Sequence, residues 1–183
     1  VKNLDRIFRG YGCIDKIACE CYNTVMELKR LNSECDEYFS SAMRLYETAF
    51  PEIERRDRSD CVAALGMPNF HADCVLDGDE FVGIAFYWES DGFIFLDHFA
   101  VAKHLRGSGY GSAVLLILKN KNKQIILEIE PPEADSTAAA RKKFYERAGF
   151  VFNPNIDHVQ LRFRKSDAPC RLKIMSYPAA LSV

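Results

Sequence analysis

Residues 106–111 read Arg-Gly-Ser-Gly-Tyr-Gly and stand where an apolar, strand-like segment (95–101) gives way to an apolar, helix-like run. A helix that starts straight after a strand presents unpaired backbone N–H groups, and its dipole favours negative charge there. Gly107, Gly109 and Gly111 keep side chains out of the way of an approaching phosphate, and Arg106 adds a fork of donors matched to phosphate oxygens. The spacing therefore predicts an anion cradle over Arg106, Gly107, Ser108, Gly109, Tyr110, Gly111 and Ser112. An ordinary glycine-rich turn is the alternative. A dinucleotide fingerprint would take Ser112 as its third small residue and Glu128 as its distal acid. Only about 55 residues follow Glu128, too few for the remaining strand and helix units, and the segments before the loop read as an antiparallel meander.

The chain of 183 residues, 48% hydrophobic and 27% charged, fits one globular domain with a full core. A net charge of −2 gives no general pull toward nucleic acid or an anionic membrane. No apolar run approaches the ~20 residues of a membrane span, and the N-terminus lacks the apolar stretch of a secretory signal. The expectation is a cytoplasmic protein without nucleic-acid or membrane partners. The seven cysteines are an odd number, and Cys13, Cys19, Cys21 and Cys35 lack paired spacing, which predicts reduced thiols and no metal site. Between Val101 and Gln124 the charged residues are all basic: Lys103, Arg106, Lys119, Lys121 and Lys123. The last three either extend the anion-friendly stretch or are solvated lysines complementing a helix end.

Periodicity supplies the elements. Ile14, Ile17, Ala18, Cys21, Val25 and Leu28 recur at helical spacing, while residues 26–31 also read as a short strand. Met26 is a candidate natural start, with residues 1–25 an extension of unread role and 26–183 a single domain. Helices are predicted at 36–50 and 54–65, closed by Pro51 and by Gly66 and Pro68. Strands follow at 70–75, 80–88 and 93–101. A helix over 108–120, a strand over 125–129 and a helix over 136–148 come next, with Gly149 as the left-handed stop and Phe150 folding back on it. Strands at 159–163 and 172–175 complete an α+β domain around a mixed sheet.

Taken in order, the strand "FLDHFAV", the loop at 106–111, "ILEIE" and "ARKKFYERAGF" resemble the GCN5-related N-acetyltransferases (GNAT). The resemblance runs from Met26 to about Tyr177. It implies a mostly antiparallel mixed sheet flanked by helices and splayed between its fourth and fifth strands, with acetyl-CoA as co-substrate. The loop from Arg106 to Ser112 would hold the pyrophosphate, and the backbone of Phe99 and Val101 would pair with pantetheine. Many members have an asparagine where this chain has Ala138, seven residues before Tyr145, which removes one expected pantetheine contact.

The chemistry then asks for a base and an acid. A lysine-like amine of pKa ~10.4 is neutral only about once in 2,500 at pH 7, a cost of ~4.6 kcal/mol unless a group takes its proton. By position, the resemblance offers Glu128 and Asp97, and Glu130 shares the face of Glu128 and could substitute. Tyr145 resembles the family's acid, the alternative being a ring packed under the sheet. His98, adjacent to Asp97, is expected on the opposite face as a packed or hydrogen-bonded group. No Ser-His-Asp pattern points to an acyl-enzyme, so direct attack by the amine in a ternary complex is expected. The acceptor, a small-molecule or protein amine, is left open, with residues 38–65 expected to shape its pocket. There Glu52 and Glu54 would attract a cation, whereas Arg55, Arg56 and Arg58 would oppose one. The reading allows a homodimer. The other function class is a sensor or scaffold that binds acyl-CoA without turnover.

Overall fold

The computed structural model describes residues 16–19, 24–160 and 169–182. Its strands are β1 (Lys16–Cys19), β2 (Thr24–Arg30), β3 (Phe70–Asp77), β4 (Glu80–Glu89), β5 (Phe93–Val101), β6 (Gln124–Ile129), β7 (Val151–Gln160) and β8 (Cys170–Tyr177). They form one sheet in the order β1-β2-β3-β4-β5-β6-β8-β7. Among the described residues, the β5–β6 pair is parallel and the other neighbours are antiparallel. The helices are α1 (Phe39–Ala49), α2 (Arg58–Leu65), α3 (Tyr110–Lys119) and α4 (Ser136–Arg147).

Two apolar layers enclose the sheet. On one face α1 and α2 bury Phe39, Met43, Tyr46 and Cys61 against Phe70, Ala72, Cys74 and Leu76 of β3. On the other, Val114, Leu115, Ile117 and Leu118 of α3 and Tyr145 of α4 pack on Ile125, Leu127 and Ile129 of β6. Burial on both faces explains why β3 and β4 read as near-continuous apolar runs.

Three sequence expectations change. The described part of the helical spacing between Ile14 and Leu28 is strand, β1 and β2, so the competing strand reading of 26–31 prevails; Ile14 and Cys21 lie outside the described residues. Met26 and Leu28 point into the core while Glu27 and Lys29 point out, and pairing with β3 (Met26↔Asp77, Leu28↔Val75) selects that period. The helix expected at 54–65 starts only at Arg58, after a 3-10 turn at Glu52–Glu54 and extended backbone at Arg55 and Asp57. Third, Lys119, Lys121 and Lys123 are neither solvated nor aimed at the loop. Lys119 Nζ donates to the Ala148 carbonyl between the Phe150 and Tyr177 rings, and Lys121 and Lys123 pair with Glu89 at 3.3 and 2.8 Å. The strand expected at 159–163 is described through Gln160, where β7 ends, and 161–163 lie outside the described residues, as do Cys13 and Cys21.

Candidate active site

A single extra residue in β5 organises the site. Phe86 of β4 pairs with His98 and its neighbour Tyr87 pairs with Leu96, so Asp97 is a bulge. Before it, Ile94 and Leu96 face the α3–α4 layer; after it, Phe99 and Val101 do, and Ala100 faces the α1–α2 layer. Strict alternation would separate Asp97 from His98, as the sequence reading expects. The bulge instead turns both toward the α1–α2 connection. Asp97 Oδ2 accepts from Arg56 Nη1 at 2.5 Å, and His98 Nε2 lies 2.7 Å from the Glu54 carbonyl oxygen. His98 is thus hydrogen-bonded as expected, but on the same side as Asp97. Its ring stands edge-on to Tyr46 and Phe50, both at 4.8 Å.

Beyond the bulge the sheet opens. Pairing of β5 with β6 runs from Phe93↔Gln124 to Leu96↔Leu127 and stops, so Asp97–Val101 and Glu128–Ile129 diverge. This is the splay expected between the family's fourth and fifth strands, which are β5 and β6 here because β1 adds one at the edge. The gap is the floor of a cleft of about 590 Å³. Phe99, Val101, Arg106, Gly107, Gly109, Tyr110, Gly111 and Ser112 line one end, while Ser108 is exposed in the same loop outside the lining.

That end is built to admit an anion. Gly107 and Gly109 have φ of 85° and 88°, and nothing lies within 4 Å of where a Cβ would stand at either. Gly109 is the N-cap of α3 and has no side-chain cap bond, leaving the first N–H groups of the helix to face the concavity. Gly111 is needed for packing, since a Cβ there would stand 3.1 Å from the Phe144 ring. Arg106 Nε donates to the Val101 carbonyl at 3.0 Å, which pins the side chain along the rim and occupies one of the backbone groups expected to pair with pantetheine. Tyr110 donates to Asp77 Oδ2 at 2.8 Å, tying the loop to the end of β3. The uncapped N–H groups at the start of α3 and the remaining Arg106 guanidinium nitrogens are donors of the kind a pyrophosphate takes.

Tyr145 reaches the cleft from the α3–α4 side of the sheet, fixed by how α4 ends. Gly149 at φ 85° lets its own N–H bond to the Glu146 carbonyl at 2.9 Å and the Phe150 N–H bond to the Tyr145 carbonyl at 3.0 Å, a Schellman closure. Phe150 then folds back with its ring 5.6 Å from that of Tyr145. Burial pushes the Tyr145 phenol up to about 12. Ala138, where many relatives place an asparagine, is buried and outside the lining; Thr137, Ala140 and Arg141 face the cleft from that part of α4.

The two carboxylates differ. Burial would lift the Asp97 carboxyl, yet the His98 hydrogen bond and charge, joined by those of Arg56, hold it down to about 2. Glu128 lies at the mouth of the splay, and burial pushes its pKa up, aided by the Asp97 charge and opposed by His158. Glu130 is engaged by Arg141 of α4. Two further side chains bear on the cleft: Glu54, which the sequence reading already offers to a cationic acceptor, and His158, which that reading missed and which stands outside the cleft lining. Glu54 enters the cleft from the α1–α2 connection, its pKa raised by burial, whereas Arg56 is spent on Asp97 and Arg58 lies 5.0 Å over the Phe39 ring. His158 of β7 places Nε2 against Glu128 Oε1. Among the described residues, no group of histidine, cysteine and carboxylate side chains is arranged to hold a metal.

Comparison with known proteins agrees with this geometry. Residues 70–152 match the family model described as "Acetyltransferase (GNAT) domain". The chain is 43% identical over 76 residues to "Putative acetyltransferase YjbC" of Bacillus subtilis (strain 168), and the match spans 41% of this chain and only 40% of that relative's length. A GNAT-family structure from Bacteroides thetaiotaomicron superposes with a TM-score of 0.76 at 27% identity, covering 82% of this chain and 85% of the other. Arabidopsis thaliana Naa50, solved in complex with the bisubstrate analogue CoA-Ac-MVNAL, shares the fold at a TM-score of 0.57 and 18% identity, over 84% and 99% of the two chains. The family model is matched from β3 through α4 to the start of β7, so residues 70–152 are similar to an acetyltransferase (GNAT) domain, and the splayed sheet and the glycine cradle lie within that segment.

Proposed function

We propose that this domain transfers the acetyl group of acetyl-CoA to a primary amine of a small molecule or protein by direct attack in a ternary complex. The observation that carries this reading is that Glu128 of β6 and Tyr145 of α4, which is packed on the sheet, both line the cleft at the gap between β5 and β6 beside an open glycine cradle. Arg106 and the N–H groups from Gly107 to Ser112 would hold the pyrophosphate, and the backbone at Phe99 and the Val101 N–H, whose carbonyl is taken by Arg106, would align the pantetheine arm. The CoA analogue bound by the Arabidopsis neighbour supports that choice of co-substrate.

Glu128 takes the proton of the incoming ammonium. Its raised pKa suits the task, because a base nearer the operating pH has more driving force to accept that proton. Asp97 at about 2 would be a far weaker base, so its role is to hold Arg56 and the α1–α2 wall. Tyr145 supports the leaving sulfur. A phenol near 12 stays protonated, but it is a weaker acid than a thiol of pKa ~8.5. It therefore stabilises the departing thiolate mainly through its O–H hydrogen bond. Glu54 gives the acceptor end a negative wall suited to an ammonium.

The test is release of free CoA thiol from acetyl-CoA with a panel of primary amines. Amine-dependent release that Glu128→Gln lowers by ~100-fold or more, and Asp97→Asn by much less, is the expected result. Tight acetyl-CoA binding without amine-dependent release would overturn catalysis in favour of a sensor or scaffold.

A further inference from the structure

Resting on the reading of Glu128 as base, we propose that His158 is its positioning residue, holding one carboxylate oxygen so that the other is turned to the amine. The contact depends on a distortion in β7. Asn153 pairs with Ile174 and His158 with Leu172, so four residues of β7 (154–157) face a single residue of β8, Lys173. A regular ladder would bring residue 155 opposite Leu172. The bulge advances His158 into that position instead.

From there the side chain crosses a strand. Glu128 pairs with Ile174 on one side of β8, and His158 pairs with Leu172 on the other. Paired residues in an antiparallel ladder share a face, as do residues two apart along a strand, so Glu128, Ile174, Leu172 and His158 all project on the same side. Leu172, which lines the cleft, separates the two polar residues at backbone level. Their side chains close above it, with His158 Nε2 against Glu128 Oε1. The imidazole is 33% exposed and the carboxylate 11%, so the pair runs from solvent into the cleft.

A proton carried on Nε2 would go to Oε1 and leave Oε2 as the acceptor for the amine. The other titratable or charged groups around the pair are Asp97 and His98 of β5, Glu54 of the 3-10 turn, Cys170 of β8 and, through Glu54, Arg141 of α4. Asp97 is already compensated by Arg56 and His98, leaving His158 as the direct partner of Glu128. Losing that partner should raise the Glu128 pKa, because His158, more than His98, opposes burial there.

Two measurements separate this role from the base role itself. NMR of the histidine rings, assigned through loss of one signal in His158→Gln, follows His158 without any acceptor. Glu128→Gln removes the anionic oxygen that lies against Nε2, so the His158 ring resonances should move while those of His71 stay in place. His158 resonances that stay at the parent's positions overturn the pairing. The acid limb of the kcat–pH profile, measured with an amine accepted in the thiol-release assay, reports the base. His158→Leu should move that limb to higher pH by ~1 unit, while His158→Gln, which keeps an N–H donor, should leave it near the parent's. An unmoved limb in His158→Leu overturns the positioning role, although Glu128 stays the base if Glu128→Gln abolishes the limb. A limb that survives in Glu128→Gln overturns the base reading and the proposal with it.

Discussion

Arg56 crosses from the α1–α2 connection to donate to Asp97 Oδ2 at 2.5 Å, and this contact divides the labour between the two cleft carboxylates. Trp88 Nε1 adds a weaker approach to the same oxygen at 3.4 Å, and the Phe70 and Trp88 rings flank the guanidinium at 5.6 and 5.8 Å. A carboxylate held this way is an anchor for the α1–α2 connection.

The anchor predicts how stability depends on pH. Asp97 is depressed from 3.8 to about 2, so its contribution is fully present above the unfolded value and is lost as pH falls toward 2. At 1.36 kcal/mol per unit this is on the order of 2 kcal/mol. Asp97→Asn leaves a half-buried guanidinium without its counterion, and at neutral pH it should cost ~3 kcal/mol in urea unfolding. The gap between parent and variant should narrow between pH 4 and pH 2. A gap independent of pH across that window would show that Asp97 is not held down in the fold.

The cradle predicts a loss of binding. Gly109→Val places a β-branched side chain at φ 88°, in space that is open for a ligand, at a strain of ~1–3 kcal/mol. Calorimetry should find acetyl-CoA binding weakened well beyond threefold, with the fold retained by circular dichroism. Affinity within threefold of the parent, only ~0.65 kcal/mol, would mean that the loop does not hold the pyrophosphate.

The lysine brace predicts a change in stability without a change in chemistry. Lys119 ties the end of α3 to the Ala148 carbonyl at the end of α4, and burial lowers its pKa. Lys119→Met keeps the stem but leaves that carbonyl without its donor, at a cost of ~1–3 kcal/mol. For a chain of this size that is a fall in Tm of very roughly 2–10 °C, with kcat within twofold of the parent. A normal melt would remove the brace from the account of how α4 is held.

What the sequence reveals about this site, and what it hides, follows from range. Gly149 and Phe150 are legible because a Schellman closure is written within six residues, and it leads directly to Tyr145. The loop at 106–111 is legible for the same reason. Asp97 and His98 are misassigned to opposite faces because a bulge is a property of the β4–β5 pairing, visible only when Phe86 and Tyr87 are set against β5. His158 is hidden more deeply, since its position depends on the β7–β8 register across an insertion and on β8 lying between it and Glu128. The lysines at 119–123 look solvated because their partners Glu89 and Ala148 are some thirty residues away in sequence.

Tyr145 gives the sharpest test of the chemistry. Its ring is packed between Phe144 and Phe150, at 5.1 and 5.6 Å, and Tyr145→Phe keeps every one of those contacts while deleting the hydroxyl. If packing were its whole role, neither stability nor rate would change appreciably. If the O–H holds the departing sulfur, the interaction exists mainly in the transition state, so kcat should fall at least about tenfold while KM for acetyl-CoA moves little. Tm should stay within a few degrees, because a single hydroxyl contributes on the order of 1 kcal/mol. The phenol at about 12 adds a pH condition: tyrosine ionisation should not limit the parent's rate below pH 10. A variant that keeps more than half of the parent kcat would take Tyr145 out of the mechanism and leave solvent to stabilise the thiolate.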